Sequence, residues 1–179
     1  QGLYSKKAIN SVGDLKGLKF RAYNSATIRI AELTGMAPTK IEAAEISQAF
    51  STGAVESMIT SPTTGKNSKI WENGVGYFYD IAAWFPKNMV IVNKDAWNKL
   101  DSATQKLVMN EAALAERKGW DLSKKGNVAD KKALSNAGMK VGKVNSALQK
   151  HFQKVGATMA DEWKAKAGAR GVSVLAAYK

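Results

Sequence analysis

Cysteine is absent from the 179 residues, and histidine occurs once, as His151. Without thiols there is no disulfide framework, no thiol nucleophile and no thiolate-held zinc or iron–sulfur site. One imidazole is too few for a histidine metal cluster. Arginine is scarce: Arg21, Arg29, Arg117 and Arg170 are the full set, and no two are neighbours. No run of about 18 apolar residues occurs, so nothing reads as a membrane-spanning helix. Acids are the minority, with 15 Asp and Glu against 27 Lys and Arg, for a net charge of +12.

What remains is ordinary for a folded chain. Hydrophobic residues make up 45% and charged residues 23%, which is enough for one well-cored domain or two small lobes. The positive excess needs a reason. Residues 1–100 carry twelve basic and eight acidic side chains, whereas residues 101–179 carry fifteen and seven. The C-terminal lysines, from Lys106 to Lys166, are spread between apolar positions at helical spacing, as on solvated helix faces. A nucleic-acid binder concentrates arginines and interleaves exposed aromatics. No nucleic-acid partner is therefore expected, although a basic interaction module for a polyanion stays as the alternative reading.

The first half alternates strands and helices. Residues 18–23 alternate apolar and polar side chains, predicting a strand with one buried face. Asn24 or Ser25 can cap a helix over about 26–34 that Gly35 ends. Residues 37–41 read as a short extended piece, 45–52 as a helix, and 55–60 as a third strand. Ser61-Pro62 is a strong helix start, and that helix is expected to include Ile70 and Trp71 and to end by Gly74. This rhythm predicts an α/β fold with a mostly parallel sheet.

Beyond it, residues 77–81 read as a strand. The apolar run over 88–93 reads as a strand covered on both faces. A helix opening on a Ser102/Gln105 capping box follows, with Gly119 and Gly126 as kinks. Residues 138–141 look like a short strand, and Ser146/Gln149 a second capping box. Leu148, Phe152, Val155, Met159 and Trp163 then form an amphipathic stripe.

Arg21 is the most informative residue for chemistry. It lies near the carboxyl end of a predicted strand, where open α/β sheets bind ligands, and a guanidinium there can grip a carboxylate through two parallel hydrogen bonds. Pattern alone equally allows a strand-end arginine paired to a surface acid. Thr60 and Ser61 join a strand end to a helix start and offer hydroxyls and amides to an anion, or Ser61 simply caps its helix. Trp84, Phe85 and Asn88 can wall a pocket, or the two aromatics can be core. His151 lacks a carboxylate partner motif and reads as a surface or boundary residue. The acids are scattered without acid/base or metal-ligand spacing. No enzyme activity, cofactor or metal is expected.

Residues 14–24, Asp-Leu-Lys-Gly-Leu-Lys-Phe-Arg-Ala-Tyr-Asn, resemble the "DLKGLK-x-R-x-x-N" segment of periplasmic solute-binding proteins of TRAP (tripartite ATP-independent periplasmic) transporters. In order, residues 35–39 resemble that family's Gly-x-x-Pro-Thr element and residues 50–57 its "L-x-T-G-x-V-D-G", with Glu56 and Ser57 as departures. Residues 92–100 resemble "V-N-K-x-x-W-x-x-L". Together these four motifs tie residues 10–118 to the family.

The resemblance implies a two-lobed periplasmic-binding-protein-like α/β fold that closes by a hinge on a small organic acid and delivers it to membrane permease subunits. It implies that Arg21 meets the ligand carboxylate, that Thr60 and Ser61 add polar contacts, and that Trp84, Phe85 and Asn88 line the cleft. Residues 1–85 would be the second lobe. Residues 86–179 would supply an inter-lobe strand and C-terminal helices packing on both lobes. Family members carry a substantial portion before the arginine segment, so the chain is expected to be part of a longer periplasmic protein, its signal peptide removed. Helices meant to cover the first lobe would then show large apolar stripes. An enzyme acting on an organic acid would need a catalytic group from that portion.

Overall fold

The computed structural model describes residues 1–177. Its centre is a six-stranded sheet in the order β3-β2-β4-β1-β5-β6. The strands are β1 (Gly2–Ser5), β2 (Lys19–Ala22), β3 (Ala37–Lys40), β4 (Ser57–Thr60), β5 (Tyr77–Tyr79) and β6 (Lys140–Gly142). The expected α/β alternation is present and the sheet is mostly parallel, with five strands running one way and β1 alone reversed, which makes it mixed. β2 runs parallel to β3 and β4, and β5 to β6, whereas β1 is antiparallel to both β4 and β5. Only four residues long, β1 is too short for a periodicity to announce it.

Alternating side chains divide the core. Leu3, Phe20, Ala22 and Ile59 point to one face, where they meet α1 (Ser25–Thr34) and α6 (Ser146–Ala177). Tyr4, Met58 and Phe78 point to the other, toward α2 (Ile46–Ser51), α3 (Pro62–Asn67) and the end of α5 (Ser102–Asn136), with α4 (Lys94–Asn98) set apart beyond a long connection. Local chemistry fixes the helix ends. Asn24 caps α1 by accepting the Thr27 amide, and Gly35 closes it in the left-handed region at φ 76°, a conformation that favours glycine. Pro38 is tolerated in β3 because that strand is a sheet edge.

Several expected elements differ. The helix after Ser61 stops at Asn67; Lys69 turns left-handed at φ 43°, and a separate 3-10 turn follows over Ile70–Asn73. α5 runs through Gly119 and Gly126 without a break, and the interruption falls instead in α6, at Gly168. Asp101 and Asn145, one residue before the expected serines, cap α5 and α6 by accepting the Thr104 and Leu148 amides. Aspartate and asparagine carry a short acceptor as good as serine's.

The run over 88–93 is not a buried strand. It is irregular, and Met89, Val90 and Ile91 are 84%, 104% and 85% exposed. A strand needs a neighbouring edge for its backbone, and the edge of β5 that faces away from β1 is already taken by β6. Much of α5 is exposed as well, with Leu107, Leu114, Trp120 and Val128 at the surface. The second half still contributes to the core. β6 completes the sheet, and Leu134, Met139, Leu148 and Val155 are buried in the two clusters. No helix is long and apolar enough to cross a membrane among the described residues.

Candidate functional site

Sheet topology brings one set of strand ends together. Arg21 on β2 stands beside Met58 of β4 and Thr39 of β3. Thr60, last in β4, faces Gly2 at the start of β1. Following the β2–β4 register two residues further sets Tyr23 alongside Thr60. Strand alternation turns Arg21 away from the Phe20 and Ala22 face.

Arg21 is only 4% exposed. Its Nε donates to the Ile41 carbonyl at 2.9 Å, and its guanidinium carbon lies over the Tyr23 ring, 4.6 Å from the centroid. It forms no ion pair with any acid among the described residues. Burial pulls its pKa below the usual arginine range, while Tyr23 and Glu42 oppose the shift. A guanidinium nevertheless stays protonated in a protein, so among the described residues a buried positive charge has no carboxylate in ion-pair contact. Burial raises the Tyr23 hydroxyl above its ordinary range, against the Arg21 charge and the Trp84 indole.

A groove of about 1020 Å³ opens beside these residues, between the start of α1, the connection 80–86 and the first part of α6. Tyr23 and Trp84 wall one side; Phe152 and Met159 wall the other. Asn24, Gln149 and Gln153 supply polar edges. The Trp84 stretch is held in place from the chain start: the Gln1 amino group donates to the Trp84 carbonyl at 3.3 Å, and Ala83 donates back to the Gln1 carbonyl at 3.1 Å. Asp80, also on the groove, is tied to Lys131 of α5 at 2.8 Å.

The six residues singled out from the sequence are therefore dispersed. Arg21 and Trp84 meet through Tyr23. Thr60 is buried at the same strand end. Ser61 caps α3, its Oγ accepting the Thr64 amide at 3.0 Å, and its carbonyl takes the Tyr4 hydroxyl at 3.0 Å. Phe85 is 82% exposed and Asn88 is also at the surface, and neither reaches the groove. They lie on the irregular connection that has no sheet neighbour. His151 is at the boundary, with its Nε2 buried and unpartnered. Tyr23 carries a signal in the sequence, because it lies two residues after Arg21, on the same side of an extended chain. Phe152 and Met159 gave no such signal, since a helical stripe does not reveal which of its turns is left uncovered. Among the described residues, no group of three or more acids and histidines is placed to hold a metal.

An α/β sheet covered on both faces carries a buried arginine near its strand ends, beside a groove. The chain belongs to the bacterial extracellular solute-binding protein family 7 (DctP), whose pattern matches residues 2–166. That family consists of solute-binding receptors, not enzymes. A TRAP solute-binding protein from a marine metagenome, crystallised with co-purified pyroglutamate and described as specific for it, is 37% identical with a TM-score of 0.95. Bordetella pertussis DctP6, an extracytoplasmic solute receptor binding pyroglutamic acid, is 41% identical with a TM-score of 0.95. Each superposition covers 99% of this chain and 58% of the other. The sialic acid-binding periplasmic protein SiaP of Vibrio cholerae serotype O1 is 32% identical over 111 residues, 60% of this chain and 33% of that protein.

Proposed function

We propose that this chain forms the carboxylate-holding lobe of an extracytoplasmic solute-binding protein that captures a small organic acid in the periplasm and passes it to TRAP-type permease subunits. The observation that carries the reading is Arg21, a buried guanidinium near the strand ends with no ion pair among the described residues. A charge kept so far from water is costly unless an anion completes it. Pyroglutamate, a compact cyclic monocarboxylate, is the ligand we favour, because two proteins sharing 37% and 41% of their residues with this chain are described as binding it.

The exposed apolar residues of 85–92 and of α5 are the surface on which a first lobe would pack, with hinge closure over the ligand between the two. An apolar patch of this extent normally meets a partner. Thr60 would add a polar contact and Trp84 a wall. Isothermal titration of the intact protein with pyroglutamate, a linear dicarboxylate and a hexuronate tests the proposal. Saturable binding of one acid that Arg21→Ala weakens about a hundredfold supports it, and binding unaffected by Arg21→Ala overturns it.

A further inference from the structure

Arg21 has two fixed supports, and only one comes from the backbone. Its Nε is committed to the Ile41 carbonyl, and the guanidinium carbon lies over the Tyr23 ring. With Nε occupied, the fork available to a carboxylate is the pair of terminal nitrogens. A ligand must then approach end-on rather than along the Nε edge. The single Nε hydrogen bond leaves the group free to swing about that contact; the aromatic face removes the freedom.

We propose that Tyr23 is a positioning residue for solute recognition, its ring holding the Arg21 guanidinium so that both terminal nitrogens meet one carboxylate. The inference rests on the reading of Arg21 as the carboxylate anchor. Three further observations support it. Tyr23 walls the groove while its ring carries the guanidinium, so it touches both the empty space and the charge. Trp84 lines the same groove as Tyr23. Tyr23 stands just past β2, directly before the Asn24 cap of α1, whose side chain and carbonyl both take Thr27; the Tyr23 amide in turn donates to the Thr27 hydroxyl at 3.0 Å. The backbone carrying the ring is thus fixed on both sides.

The test is titration of pyroglutamate into the intact protein carrying Tyr23→Leu, Tyr23→Phe or Arg21→Ala, with thermal unfolding of each in parallel. Loss of a desolvated cation–π contact predicts binding about tenfold weaker for Tyr23→Leu. Tyr23→Phe, which keeps the ring, is expected to restore the affinity to within about threefold, since the cation–π contact needs no hydroxyl. Tyr23→Leu binding as tightly as the unaltered protein, while Arg21→Ala loses binding, overturns the role of Tyr23 and leaves the anchor intact. Equal loss in the Leu and Phe variants also overturns it, because the ring is then not the cause. An Arg21→Ala protein that binds as tightly as the unaltered one overturns the anchor, and the role of Tyr23 with it.

Discussion

The Asp130 carboxylate receives both the Lys66 ammonium and the Thr63 hydroxyl, joining α5 to α3 across 64 residues of sequence. Asp130 is 4% exposed. The next residue, Lys131, reaches Asp80 at the start of the long connection. Two consecutive side chains of α5 thereby fasten it to the segments that follow β4 and β5.

Burial pushes the Asp130 carboxyl up, but the hydrogen bonds from Lys66 and Thr63 outweigh it and hold the pKa below the usual Asp range. The folded-state value is lower than the unfolded one. The stabilisation is therefore complete above about pH 4 and fades as pH falls further. Asp130→Asn is expected to lower the denaturation midpoint at pH 7, with the gap to the unaltered protein narrowing at pH 3. An equal gap at both values would show that the charge is not what matters.

Gly65 lies against the Tyr4 phenol so closely that any Cβ would enter the ring. Tyr4 is fully buried and reaches the Ser61 carbonyl through its hydroxyl. Gly65→Ala should overpack this contact and cost about 2 kcal/mol, read from chemical denaturation. Ala substitution at the exposed Gly119 meets open space in a helix interior and should instead stabilise by a few tenths to about 1 kcal/mol.

Arg21→Lys keeps the charge but loses the planar fork and the aromatic stacking. Its affinity for the bound acid should fall at least about tenfold, whereas Arg21→Ala should fall about a hundredfold. His151→Gln, outside the groove, should leave affinity within about twofold, well below the ~1.4 kcal/mol that a tenfold change represents. Titration calorimetry on the three variants gives the order directly.

Val90 is fully at the surface and flanked by exposed Met89 and Ile91. Replacing Val90 with Lys should reduce self-association of the 179-residue chain, measured by sedimentation, because it breaks the apolar patch. In a protein where another lobe packs on that patch, the same change should weaken the packing and lower the unfolding temperature.

Reading the sequence caught those features whose cause is local. Asn24, Gly35 and Ser61-Pro62 act through their own backbone neighbourhood, so the ends of α1 and the start of α3 were legible. The Asp14–Asn24 motif carried both the family and Arg21. Features set by remote partners were not legible. β1 is a strand because β4 and β5 flank it, and the apolar run at 88–93 lacks such flanks, so its composition misled. The groove is formed by α6 turning Phe152 and Met159 toward Trp84, a meeting of residues about seventy positions apart. Tyr23 falls between these cases: its placement beside Arg21 follows from strand alternation, but its stacking on the guanidinium needed the three-dimensional structure.

The parallel pairing of β6 with β5 closes the sheet across the whole of α5. The exposed stretch 85–92 is therefore dispensable as a covalent link within this fold: Tyr77, Phe78 and Tyr79 remain paired with Lys140, Val141 and Gly142 whether or not the chain between them is whole. A protease that nicks this stretch, an accessible segment with no secondary structure, should yield two fragments on a denaturing gel that still travel as one particle under native conditions. The nicked chain would behave as a split protein whose halves hold together through strand pairing and a shared core.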